Sequence, residues 1–267
     1  MDNTHYPMDK LTIDLLGRQQ QFFGDLKDEY FRNLAAHAAQ NDLLVWLASK
    51  VALAGKTYLD VGANIGVTAN IVRLVQPQAR ICCLEPSPKA YAYLCRNAQS
   101  DMRLYNLAAG RGVGTLEFFE AEFLAGSSLS NKVEGFDDKR RTIPVRVTSL
   151  DQLCADENIS DVGLVKVDVE GFELDVLQGA AGLIKRDNPV FVCEFNSYAI
   201  AANAGASPYT LLQTIMAIFG EFYAYRNGVT IRVDNDKDAR DFFYQNMVMQ
   251  HCVEDIYFGG DASRCGR

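Results

Sequence analysis

Residues 57–66 read TYLDVGANIG, an apolar run that breaks into a loop with two glycines, an acid and an asparagine. A short apolar stretch bounded by turn residues has the signature of a buried strand, and its glycines mark a backbone that turns closely against something. A dinucleotide fingerprint of the form G-x-G-x-x-G would need glycine at position 64, where the chain has Asn64. In an open α/β sheet, ligands bind beyond the carboxyl ends of the strands, and this loop is such an end. Asp60 closes the strand, Gly62 lets the backbone turn against a ligand, and Gly66 admits the close packing of a following helix.

Outward from this loop, strand and helix signals alternate: strand 57–61, helix about 65–76, strand 80–84, helix about 88–99, strand 103–107. The rhythm stops at an insertion of about 112–148, where VGTLEFF and TIPVRVT look like strands around a Gly/Ser/Asp-rich stretch without helical period. It resumes with helix 149–157, strand 162–167, helix 172–184 and strand 190–195. A helix at 208–219 leads into strands near 221–226, 229–233 and 243–251, closer to an antiparallel ending. This order predicts an α/β fold with a doubly wound, mostly parallel sheet covered on both faces. Ahead of it, Phe22, Phe23, Leu26, Tyr30, Leu34 and Leu44 fall near three-to-four spacing, which predicts an N-terminal helical extension or cap over residues 1–50. Residues 51–267 then form the main domain.

With 48% hydrophobic residues in 267, the chain can bury a substantial core. A net charge of −8, with acids spread along the chain, argues against nucleic acid as a partner. No apolar stretch reaches the roughly 18–20 residues of a membrane span, and the start, MDNTHYPMDK, lacks a signal-peptide pattern, so a cytoplasmic location is expected. The seven cysteines follow no C-x-x-C spacing, and Cys82, Cys83 and Cys193 read as reduced core residues.

The second strand ends in Glu85 and Pro86, which puts an acid 19 positions after Gly66, where a carboxylate can accept two hydrogen bonds from a ribose diol. Asp60, Glu85, Asp168 and Glu170 would all fall on one rim, a poor home for pyrophosphate and a suitable one for a sulfonium cation. S-adenosyl-L-methionine is therefore the expected cofactor. In the structural alternative, Asp60 merely caps a turn and Glu85 is solvated.

LVKVDVEGFELDVLQGA at 164–180, together with LDVGANIG, LEPSP and NLAAG, resembles the FkbM family of S-adenosylmethionine-dependent methyltransferases over roughly positions 57–197. The resemblance implies a class I methyltransferase (Rossmann-like) fold, with a seven-stranded sheet whose last strand is antiparallel, and O-methylation of a sugar, glycan or secondary-metabolite hydroxyl. Position by position it implies that Asp60, Gly62, Asn64 and Gly66 form the methionine-binding loop. Glu85, followed by Pro86 and Ser87, is then the ribose acid, and Asn106, Leu107 and Ala108 are the loop beside adenine. Ser127 and Ser128 match a serine pair common in the family's insertion.

An alcohol attacks a methyl group poorly until its proton begins to leave, so a positioned base is useful. Asp168 and Glu170 flank Val169 just past strand 162–167, where positions two apart share a face and two close acids raise each other's proton affinity. Glu194, near the end of strand 190–195, is a third candidate, and Asn196 is placed to position substrate. Alternatively Glu170 favours a helix N-terminus, Lys166 pairs with either acid, or Asp168, Glu170 and Glu194 hold Mg²⁺, although no spacing demands a metal. His37 and His251 are further candidate bases. Phe118, Phe119 and Phe123 could line an apolar or sugar-stacking wall, and the aromatic N-terminal helices could close over the acceptor or form a homodimer interface. A nucleotide-dependent oxidoreductase and a non-catalytic S-adenosylmethionine-binding protein remain the competing readings.

Overall fold

The computed structural model describes residues 6–120, 141–226, 228–260 and 262–265. Its centre is an eight-stranded sheet in the order Arg103–Tyr105, Arg80–Leu84, Thr57–Val61, Val162–Val167, Val190–Asn196, Val253–Phe258, Phe222–Arg226, Val229–Val233. The first five strands are mutually parallel. The last three join in antiparallel pairings. The parallel strands are buried almost throughout, as expected of a sheet with both faces covered. This is the doubly wound, mostly parallel sheet with an antiparallel ending that the sequence implies. An eighth strand, Val229–Val233, is added at the edge by a hairpin through Gly228, whose φ is +79°.

From Thr57–Val61 the chain winds one way through Arg80–Leu84 to Arg103–Tyr105, then returns to fill the other side from Val162–Val167 onward. The winding reverses between Thr57–Val61 and Val162–Val167, the place where an α/β sheet opens a crevice at its carboxyl edge.

Three expectations change. The N-terminal segment is not helical throughout: Asp9–Leu15 and Arg18–Gly24 form an antiparallel hairpin. Its turn is Leu16 and Gly17, both at positive φ (54° and 77°), the geometry of the tight turns that match strand twist. Ile13, Leu15 and Phe22 alternate inward with polar neighbours outward, so period two wins over the three-to-four spacing seen from Phe22 onward. Helices begin only at Glu29–Arg32 and continue through Leu34–Ala39 and Asp42–Lys50.

The strand expected at 243–251 is part of a helix, Asp236–Met249. Asn235 caps it by accepting from the Asp238 N–H at 3.0 Å, two acids occupy its first turn, and Lys237 pairs with Asp241 at 2.6 Å one turn on. The closing strand is Val253–Phe258 instead. The single helix expected at 172–184 is two, Glu173–Gln178 and Ala181–Asp187. Between them Gly179 presses on Gly110, whose carbonyl oxygen would lie 2.1 Å from an added Cβ.

The insertion contributes two strands, Gly114–Glu120 and Arg141–Thr148, which with the preceding Ala108–Ala109 form a three-stranded side sheet. Phe123, Ser127 and Ser128 lie outside the described residues. One face of the central sheet packs on the N-terminal segment and on helices Val67–Val75 and Pro88–Asn97. The other face packs on the helices that follow residue 149. Among the described residues no helix is long and apolar enough to cross a membrane, and no group of His, Cys, Asp and Glu could hold a metal ion.

Candidate active site

At the reversal point the carboxyl edge opens into a cavity of about 500 Å³, within the size range of small-molecule and cofactor sites. One wall is the loop after Thr57–Val61. Gly62 adopts φ +83°, and a Cβ there would lie 1.8 Å from the carbonyl oxygen of Asp168, so only glycine fits. Asn64, also left-handed at φ +47°, lines the cavity, and its buried Oδ1 has no hydrogen-bond partner among the described residues. Gly66, at φ +89°, caps helix Val67–Val75 behind the wall, against Leu94.

Glu85 ties this loop to the next. Its Oε2 accepts from the Asn64 N–H and its Oε1 from the Ser87 N–H, both at 2.8 Å. A carboxylate offers about four acceptor positions, so each oxygen keeps capacity beyond its one N–H donor. Burial pushes its carboxyl up to about 7 despite those two donors. Pro86, Ser87, Leu107 and Ala108 complete this wall. Asn106 does not line it; its amide donates to the carbonyls of Glu85 (2.8 Å) and Pro86 (3.0 Å) and fixes the turn from behind. Asp60 does not line it either. It is fully buried, accepts from the Thr68 hydroxyl at 2.6 Å and keeps an unpartnered Oδ1, and burial raises its pKa.

The opposite wall is acidic. Asp168, Glu170 and Glu194 all face the cavity, and so do Glu254 and Asp255, which the misplaced last strand hid from sequence reading. Lys166 donates to Asp168 at 2.9 Å. Burial works against the Lys166 ammonium, but the carboxylates of Asp168 and Asp60 more than offset it and hold its pKa above the ordinary lysine value. Arg226 grips Glu254 with two nitrogens, and the Asn246 amide donates to the same carboxylate at 3.3 Å. Glu170 sits at φ +54° beside Gly171, and the Asn203 amide holds its carbonyl at 2.8 Å. The turn is closed from below by Glu173, which accepts from the Gly171 N–H at 3.0 Å. Burial pushes Glu173 up to about 7.

The N-terminal helices roof the cavity with Tyr30, His37, Gln40, Asn41 and Leu44. The Tyr30 and His37 rings stack at 4.5 Å between centroids. Phe118 reaches the cavity from the side sheet, but Asn196 and His251 are not among its lining residues. Asn196 instead caps the turn at Ser197–Ala199, accepting from the Ala199 N–H at 2.9 Å.

A model of the methyltransferase FkbM domain matches residues 60–227, more than half of the chain. The chain belongs to this family. Among its relatives is the 2-O-methyltransferase NoeI of Sinorhizobium fredii, 29% identical over 136 residues, which cover 45% of this chain and 56% of that protein. The hexuronic acid methyltransferase AglP of Haloferax volcanii is 28% identical over 136 residues, covering 50% of this chain and 53% of that one. A solved FkbM methyltransferase from Methylobacillus flagellatus aligns with a TM-score of 0.47 and 17% identity over 76% of this chain and 43% of its own. This FkbM domain thus spans about half the length of the curated relatives it matches.

Proposed function

We propose that this FkbM domain is an S-adenosyl-L-methionine-dependent O-methyltransferase acting on a hydroxyl of a small-molecule or glycan acceptor. The observation that carries the reading is the cradle beside Gly62. It has no room for a Cβ, its Asn64 Oδ1 has no hydrogen-bond partner among the described residues, and Glu85, held by two backbone N–H groups, lines the same cavity. Those features fit a nucleoside with a ribose diol and no pyrophosphate. When bound, the cofactor supplies an electrophilic methyl group on a cationic sulfur. Gly62, Asn64, Glu85 and Ser87 would hold it, with Leu107 and Ala108 flanking the base. The 2-O-methyltransferase NoeI supports an oxygen acceptor, and the hexuronic acid methyltransferase AglP supports a sugar-type one. The chain's own task is then to seat the hydroxyl in line, exclude water and take its proton.

Calorimetric titration with S-adenosylhomocysteine beside NADH tests the reading. Micromolar binding of S-adenosylhomocysteine alone, lost in Glu85→Ala, is expected. Binding of NADH instead would replace the reading with a nucleotide-dependent oxidoreductase.

A further inference from the structure

Three neighbouring strands bring three acids together at the cavity floor. Val167 is in register with Cys193, so Asp168 and Glu194 each follow by one residue on adjacent parallel strands. Glu194 in turn lies directly opposite Asp255 across the antiparallel pairing. Residues opposed in this way share a face of the sheet, with Cβ atoms roughly 4.5–5.5 Å apart. All three line the cavity.

Their partners differ. Asp168 is engaged by Lys166 at 2.9 Å. Among the described residues, neither Glu194 nor Asp255 has a hydrogen-bond or salt-bridge partner for its carboxyl group. Two opposed, half-buried carboxylates without a donor repel each other, and the repulsion is relieved by a proton held between them. We propose that Glu194 and Asp255 form a shared-proton carboxyl pair that takes the proton of the acceptor hydroxyl. This assignment rests on the methyltransferase reading above and adds to it a specific base, one member of which belongs to a strand the sequence did not reveal.

The surroundings favour the pair. The groups facing it are Lys166, Asp168 and Glu170 from the strand and turn at 162–171, Glu254 with Arg226 from the antiparallel side, and Tyr30 and His37 from the roof. Arg226 pairs directly with Glu254 and Lys166 with Asp168, so neither cation makes a direct ion pair with Glu194 or Asp255, although the Lys166 charge opposes the upward shift of both. Burial, then Asp168, Glu170 and Asp255, push Glu194 well above the ordinary glutamate range. Burial and then Asp168 lift Asp255 to about 6. In the reaction the hydroxyl oxygen forms the new bond to the methyl carbon. A bound S-adenosyl-L-methionine would supply that methyl, the sulfur–carbon electron pair staying on sulfur as a neutral thioether, and the hydroxyl proton would pass to the ionised member of the pair and then to solvent.

The test is a carboxyl titration by ¹³C NMR on the full chain labelled at Glu and Asp side chains, with and without S-adenosylhomocysteine. Wild type should show Glu194 and Asp255 titrating in two linked steps separated by more than about one pH unit. Glu194→Gln should collapse Asp255 to a single, lower step, and Asp255→Asn should do the same to Glu194. Both variants should bind S-adenosylhomocysteine within about twofold of wild type. Their methyl transfer from labelled cofactor to a panel of methyl glycosides should fall on the order of 10²-fold or more at neutral pH. Independent single steps near the ordinary carboxylate range would overturn the pair, as would variants that keep wild-type turnover and pH profile. Mg²⁺ that abolishes the upper step and is required for turnover would also overturn it, by making the two acids metal ligands. Failure of wild type to bind S-adenosylhomocysteine would instead remove the cofactor reading, and the titration would still report on the pair.

Discussion

The two walls of the cavity hold their polar groups in opposite ways. On the side of Thr57–Val61 and Arg80–Leu84, each Glu85 oxygen accepts from a backbone N–H group and the Asn106 amide holds the adjacent carbonyls, so its carboxylate is pinned while keeping acceptor capacity. That wall is built of local loops and is rigid before anything binds. On the side of Val190–Asn196 and Val253–Phe258, carboxylates stand opposite one another, and two of them have no donor among the described residues. A wall with unmet hydrogen-bonding capacity stores a demand that a proton or ligand meets. The difference matches a division of labour in which one side holds a molecule of fixed shape and the other manages a proton.

The largest effect should come from breaking the rigid wall at Gly62. In Gly62→Ala the new methyl would overlap the Asp168 carbonyl oxygen, 1.8 Å away, at a φ of +83°. The backbone conformation alone costs about 1–3 kcal/mol for a non-glycine residue. S-adenosylhomocysteine binding in calorimetry should be abolished and the melting temperature should drop. Unchanged binding would mean that the cradle is not where the ligand sits. Next in size is Glu85→Ala, which leaves the N–H groups of Asn64 and Ser87 without their acceptor. Each unmet buried donor costs about 1–3 kcal/mol. The same titration should show affinity lost by more than tenfold; an unaltered dissociation constant would remove Glu85 from the site.

The rigid wall was also the legible one. Gly62, Asn64, Gly66 and Glu85 lie in two short segments at strand ends, where glycine and acid placement follows from local backbone geometry. The acidic wall was half legible: Asp168, Glu170 and Glu194 end parallel strands and were found by the same logic. Asp255 was missed because its meeting with Glu194 depends on register between strands some sixty positions apart, and because 243–249, read as strand, is helix. The roof was legible as a place and not as residues: the N-terminal helices were expected to close over the acceptor, and they do line the cavity. Tyr30 read only as part of an amphipathic pattern and His37 as a candidate base, and their stacked place over the cavity is set by how the hairpin and helices dock on the sheet. Asp60 errs the other way: it falls at the end of its strand as expected, yet its side chain is turned to Thr68 and does not line the cavity.

Buried acids on both walls give the protein a characteristic pH response. Glu85 and Glu173 are lifted to about 7 and Asp255 to about 6. Each therefore keeps its proton in the native state at pH values where the unfolded chain has released it, so the native state binds more protons. Stability then falls as pH rises from about 4.5 to 7. Asp187, lowered chiefly by its hydrogen bonds with Arg186, acts in the opposite direction but below the ordinary aspartate range, outside that window. Thermal denaturation without ligand should give a higher melting temperature at pH 5 than at pH 7.5, with the slope reduced in Glu85→Gln. A flat or rising profile across this window would show that these carboxyls are not held as buried acids.

The smallest and most discriminating effects should come from two asparagines that do the same job on different walls. Asn106 holds the carbonyls of Glu85 and Pro86, whereas Asn203 holds the carbonyl of Glu170. Each hydrogen bond contributes about 0.5–1.5 kcal/mol, so Asn106→Ala and Asn203→Ala should have similar, modest effects on melting temperature. They should separate in calorimetry. Loosening the turn that carries Glu85 should weaken S-adenosylhomocysteine up to about tenfold, the equivalent of 1.4 kcal/mol. Loosening the Glu170 turn should leave that affinity unchanged and lower only the rate of methyl transfer. Equal losses of cofactor affinity in both variants would mean that the walls are not separate, and that the left-handed turn at Glu170 and Gly171 supports the Gly62 cradle through the Asp168 carbonyl it follows.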